Sequence, residues 1–236
     1  MYYPLFTFRY SLLIACLCLC SMAASAQYAD VKKGDIIELN GVKGMVIQVD
    51  DAGEHGLAMS IARCGEPWLA DKDAKFETSA FYEDDGEKNM KAIERYIEQQ
   101  NQQWEDFPLF NWCRQLGEGW YVPAKDELET LIHFINIEGW KYNHKNTKKL
   151  NQVLKNAGGD KLTNIGGFFY YSSTEAEGGL VYGVIFDSGG ANTLANMSPT
   201  SLFTGKKAVY RMRTYMKALP GGKALAHYGS RAVHKF

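Results

Sequence analysis

Beyond residue 22 the chain has no apolar run approaching the roughly 18 residues that cross a bilayer. Neither charge sign dominates: 26 lysines and arginines face 27 aspartates and glutamates, a formal net charge of −1 over 236 residues. That balance argues against a nucleic-acid partner, which requires a basic footprint. Cysteine is absent after Cys113. Neither Cys-x2-Cys nor His-x3-His spacing occurs, and His55, His133, His144, His227 and His234 are scattered, so no zinc site is expected. A Gly-x-Ser-x-Gly elbow is missing too, which removes the strained turn that exposes a hydrolase serine. Neither metal nor cofactor is expected.

What the first residues do contain is a leader. Arg9 is the only charge before residue 27, Ser11 to Met22 is apolar or small, and Ala24-Ser25-Ala26 is a small-x-small cleavage site. Leu13-Ile14-Ala15-Cys16 also fits a lipoprotein box, with Cys16 as the acylated residue. The apolar stretch between Arg9 and that site is shorter than the usual h-region of about 7–15 residues. Cleavage after Ala26 therefore takes precedence. It leaves 210 residues and, with Arg9 gone, a net charge of −2. That length suits one core and one domain. Cys16, Cys18 and Cys20 leave with the leader, so Cys64 and Cys113 remain as a pair. In an oxidising compartment they could bridge, or they could be two buried thiols acting as small hydrophobes.

The remainder switches period twice. Asp35–Leu39, Val42–Val49 and Leu57–Ile61 are β-branched and apolar, separated by Asn40-Gly41 and by the polar run 50–56, which predicts a three-stranded meander. Residues 65 to 86 are irregular and charged, a loop. Met90, Ile93, Tyr96, Ile97 and Trp104 predict a helix over 88–104. Pro108 opens a second helix that carries Leu109, Trp112, Cys113 and Leu116 before the cap Gly117. Leu128, Leu131, Ile132 and Ile135 predict a third helix, and Leu150, Val153, Leu154 and Ala157 a fourth. Beyond Gly167 the period becomes two, with strands at 180–186 and 208–214. Hairpins, then helices, then antiparallel strands read as α+β. The breaker Leu219-Pro220-Gly221-Gly222 sets the domain at 27–217 and leaves 218–236 as a loose basic tail, or less plausibly a docking one.

Two motifs concentrate the information: Gly117-Glu118-Gly119-Trp120-Tyr121-Val122-Pro123-Ala124-Lys125-Asp126-Glu127-Leu128 and Tyr170-Tyr171-Ser172-Ser173-Thr174-Glu175. The first is a buried strand entering a helix; Glu127 can bond the cap amide, while Ala124 offers no cap hydroxyl. In the second, the hydroxyls fit backbone bonding at a turn better than nucleophilic catalysis. Cys113, on its helix's apolar stripe, lacks the exposure a reactive thiol needs beside His133. In this order, with Arg211 and Arg213 on a last strand, the motifs resemble the bacterial Lcl C-terminal domain family, the globular end of a collagen-like adhesin. The likeness runs from about residue 44 to 214. It implies a C-type-lectin-like fold, an antiparallel sheet with flanking helices, at the cell envelope or surface. True C-type lectins bind calcium and sugar through Glu-Pro-Asn or Gln-Pro-Asp and Trp-Asn-Asp; none occurs, and Glu66-Pro67-Trp68 is only a near miss. Formylglycine-generating enzymes, with the same broader fold, need a late cysteine pair that is missing here.

The expected function is therefore binding without catalysis, adhesin-like, of a carbohydrate or protein ligand in the periplasm, at the surface or outside the cell. The alternative is a structural subunit of an envelope assembly. The resemblance also makes a sulfated glycan conceivable. Recognition is expected in the segment from Asp187 to Lys207, through Asp187, Ser188, Asn192, Asn196, Lys206 and Lys207, although its composition equally fits an idle loop. Arg211 and Arg213 could pair with a buried carboxylate or bind an anion. N-terminal sequencing of exported protein is expected to read from Gln27 without lipid; an acylated Cys16 would overturn the leader assignment.

Overall fold

Asn40 and Gly41 both take left-handed backbone, φ 51° and 80°, which is what a two-residue hairpin turn between right-twisted strands requires. They join β1 (Ile36–Leu39) to β2 (Val42–Val49), and β3 (Gly56–Ser60) follows. The computed structural model describes residue 28 and residues 30–71, 76–137, 139–162, 169–187, 209–216 and 228–236. Helices α1 (Gly86–Gln100), α2 (Pro108–Leu116), α3 (Lys125–Asn136) and α4 (His144–Asn156) come next. The expected first helix ran on to Trp104. It stops at Gln100 because Asn101 turns left-handed, φ 52°, and Trp104–Asp106 forms a separate 3-10 turn.

Strands β4 (Phe169–Ala176), β5 (Leu180–Asp187), β6 (Val209–Met216), β7 (Tyr228–Gly229) and β8 (Val233–Lys235) complete the chain. They form two four-stranded sheets, β1-β2-β3-β8 and β6-β5-β4-β7. Every strand pairing is antiparallel except β4 with β7. The fold is α+β, as expected. No helix among the described residues is long and apolar enough to cross a membrane.

The apolar residues divide into two clusters. One joins Trp68, Ile93, Phe107, Phe110, Cys113, Trp120, Val122 and Tyr171. The other joins Met45, Ile47, Tyr121, Leu128, Leu131, Ile132, Leu150, Leu154, Tyr170 and Val233. Alternation places the two motifs between them: Trp120 and Val122 point into the first cluster and Tyr121 into the second, while Tyr170 and Tyr171 divide the same way. The irregular segment after residue 64 is more than a surface loop. Trp68, Leu69 and Ala80 are buried, and the Trp68 indole N–H donates to the Ser172 carbonyl at 3.2 Å.

The expected loose tail is corrected at its far end. Residues 217–227 lie outside the described residues, but 228–236 are built into both sheets. β7 pairs with β4, Ser230 bridges to Cys64, and β8 pairs with β3 while Val233 also bridges to Tyr121. Gly229 has no room for a side chain, since a Cβ there would lie 1.8 Å from the Cys64 carbonyl oxygen. Arg231 is wholly buried. Its guanidinium donates to the Ser60, Ile61 and Asp160 carbonyls at 2.9, 2.7 and 2.8 Å. The pattern was hidden because three-residue strands carry no readable period and an arginine is almost never a core residue. Deleting 218–236 is therefore expected to abolish cooperative unfolding. Arg231→Ala, which removes a donor from three carbonyls and empties a buried site, is expected to cost about 3 kcal/mol; a truncated chain with an unchanged denaturation midpoint would contradict this.

Candidate binding cleft

The polar residues of the two motifs meet in a buried seam. Glu127 Oε2 accepts the amides of Ala124 and Gly86 at 2.8 and 3.1 Å, and Oε1 accepts the Tyr121 hydroxyl at 2.7 Å. One carboxylate thus caps both α3 and α1. The hydroxyl that Ala124 lacks is replaced from far along the chain: Thr174 Oγ1 accepts the Lys125 amide at 3.0 Å and donates to the Tyr82 carbonyl at 2.9 Å. Asn89 holds Tyr82 through N–H and C=O at 3.0 and 2.7 Å and donates to Ser173 at 2.9 Å. Ser172 donates to the Tyr182 carbonyl, and Glu175 accepts the Thr78 and Ala80 amides. The β4–β5 register shifts between Tyr171 and Glu175; there the Ser173 and Glu175 amides donate to the Pro123 and Ala80 carbonyls, and the Thr174 amide to Ser172 Oγ. The hydroxyls serve the fold, as their composition suggested.

With α3 fixed by that seam, α4 is fixed by asparagines. Asn146 donates to the Phe134 and Ile135 carbonyls at 3.0 and 2.7 Å, covering the open end of α3. Asn136 accepts the Asn143 amide, and Asn143 caps α4 by accepting the Asn146 amide at 3.0 Å. Between this helix pair and the edge of β1–β2 lies a cleft of about 650 Å³. Its floor is apolar, made by Ile47, Phe134, Leu150 and Val153. Lys33, Asp35, Gln48, Thr130, His133 and Lys149 stand around it. His133 Nε2 comes within 3.5 Å of Glu129 Oε1, in ion-pair range but misaligned for a hydrogen bond. Its ring meets Trp140 edge-on at 5.6 Å.

On the rim sits Ile137, which ends α3 in left-handed backbone at φ 53°, ψ 74°. It is 61 % exposed, the most exposed large apolar side chain among the described residues. A β-branched residue is costly in that region, where glycine is the usual choice. An apolar floor, convergent polar groups and this volume match small-ligand sites.

The expected recognition residues are only partly placed. Asp187 ends β5 opposite Val209, the first residue of β6. Ser188, Asn192, Asn196, Lys206 and Lys207 lie outside the described residues, as does the leader 1–26. Arg211 and Arg213 lie on β6 opposite Ile185 and Gly183. Cys64 and Cys113, the pair open to bridging, are free buried thiols. Burial pushes the Cys64 thiol up to about 12 and raises Cys113 well above the ordinary range, an effect that a charge on Cys64 would add to. Cys113 lies in the first apolar cluster and His133 borders the cleft, so the structure does not join them as a thiol–imidazole pair. Sequence reasoning missed the cleft because β2, α3 and α4 each contribute ordinary surface residues. Ile137, an apolar residue continuing past the α3 stripe, was the one readable sign.

Among the described residues no group of three or more histidine, cysteine or carboxylate side chains gathers as a metal would require. Comparison with family models, with curated proteins and with solved structures finds no match to this chain.

The seam has a measurable signature. Burial raises the Glu127 pKa above its ordinary 4.5, against the pull of the Ala124 and Gly86 amides, the Tyr121 hydroxyl and Lys235. A carboxyl with a raised folded pKa holds its proton more tightly when folded. Its contribution to stability is therefore full below the unfolded pKa and declines as pH rises through the folded one. Glu127→Gln is expected to remove that part of the decline. Denaturant titrations of both proteins from about pH 4 upward check this, and equal slopes would contradict it.

Proposed function

We propose that the chain is an exported, non-catalytic binding module of the cell envelope or surface, adhesin-like, with a short carbohydrate as its ligand. The observation that carries the reading is Ile137, a β-branched side chain held exposed in left-handed backbone on the rim of the cleft between α3, α4 and β2. Strain kept at a concave site is the usual mark of function rather than of folding. The cleft adds an apolar floor for a sugar face and mixed charged and amide groups for its hydroxyls. The strongly displaced protonation equilibria, those of Cys64, Cys113 and Tyr121, belong to groups built into the core. Catalytic sites would draw such groups into the cleft.

The resemblance to the Lcl C-terminal domain family supplies the cell-surface setting and the C-type-lectin-like fold. Two largely antiparallel sheets with helices packed on them support that layout. A second reading, an assembly subunit of the envelope, is favoured by Phe81 and Tyr82, adjacent and both more than 40 % exposed.

A glycan array and a pull-down with the mature protein separate the two. Ile137→Gly is expected to stabilise the fold by about 1 kcal/mol through relief of the left-handed strain. Both it and Gln48→Ala are expected to weaken glycan binding roughly tenfold, the loss of one good contact. Glycan binding that survives both changes would move the site out of the cleft. A protein partner lost on Phe81→Ser/Tyr82→Ser, without glycan binding, would favour the assembly reading.

A further inference from the structure

Helix α4 forms one wall of the cleft and turns a different face to a second hollow. His144, Lys148, Asn151 and Lys155 fall at i, i+4, i+7 and i+11, a single stripe along the helix. They border, with Lys161, a concavity of about 330 Å³. The segment from Gly139 to Gly159 holds five lysines and no carboxylate, in a chain whose net charge is negative.

Lys161 is built into this place. Asn151 accepts the Leu162 amide at 2.6 Å and donates to the Leu162 carbonyl at 3.1 Å, fastening the strand-bound loop against the helix. The neighbouring carboxylate, Asp160, accepts the Arg63 amide through Oδ2 at 2.8 Å and forms no ion pair with Lys161. Among the described residues Lys148, Lys155 and Lys161 form no ion pair. Arg231, wholly buried and facing carbonyls rather than a carboxylate, donates to Asp160 O at 2.8 Å, one residue from Lys161. Like charges held together in a hollow make a positive potential that an anion relieves.

We propose that this concavity binds a phosphate monoester, carried by a phosphorylated sugar or by a lipid headgroup. The doubly charged group matches three ammonium ions, and flexible lysines close around it as point charges. A sulfate ester carries half that charge and leaves the cluster under-compensated. The site is separate from the glycan cleft and stands or falls independently of it.

Glucose 6-phosphate and inorganic phosphate, titrated calorimetrically into the mature protein, test the soluble source. Phosphatidate vesicles against phosphatidylcholine vesicles test the lipid one. The triple variant Lys148→Gln/Lys155→Gln/Lys161→Gln is expected to lose affinity about tenfold or more, in whichever arm binds. Lys32→Gln/Lys43→Gln/Lys91→Gln, which removes the same charge elsewhere, is expected to change it less than about twofold. Denaturation midpoints of both variants confirm that the fold is kept. No binding in either arm would overturn the proposal. So would equal loss in both variants, or glucose 6-sulfate binding as tightly as the phosphate.

Discussion

Glu127 is one carboxylate serving two helices. By accepting amides at the starts of both α1 and α3 it fixes where each begins, and through the Tyr121 hydroxyl it ties them to the strand between the two apolar clusters. Thr174, Asn89 and Glu175 extend the same seam to β4 and to the segment after residue 76. A buried network of this kind tolerates little loss, since a partner removed leaves several desolvated groups at once. The cleft inherits that rigidity. Its α3 wall is set by the seam, and its α4 wall is hung on α3 by Asn136, Asn143 and Asn146.

How much was legible follows the physics of each signal. Asn40-Gly41 named its turn because only a few residues accept two left-handed positions. The helices were legible from their stripes, and the burial of Trp120 and Val122 from their alternation. Glu127 was readable as a cap, but its second and third partners come from other elements and leave no local trace. The Ser172–Glu175 run reads as a polar turn; it is buried because its side chains bond backbone groups of Thr78, Ala80, Lys125 and Tyr182, partners distant in sequence. The final residues were misread for the converse reason. A buried arginine and a three-residue strand owe everything to distant partners.

Charge is distributed as unevenly in space as it is evenly in sum. Lys125 pairs with Glu83, and Lys88 and Lys235 flank Asp85, so the α1 and α3 ends are self-neutralised. Helix α4 is not. A balanced total therefore says little about local potential, and here the two faces of one helix border hollows of different character. The cleft combines an apolar floor with both charge signs, while the smaller hollow is ringed by lysines.

The position of Arg231 also governs timing. A chain made from its N-terminus exposes the outer edge of β3 long before β8 exists to cover it, and Ser60 precedes its guanidinium partner by 171 residues. Contacts so distant in sequence form late and slowly. Neither sheet can acquire its last strand until residues 228–235 have been made. Until then β3 and β4 each keep an open edge, so the order of synthesis sets the order in which the two sheets close.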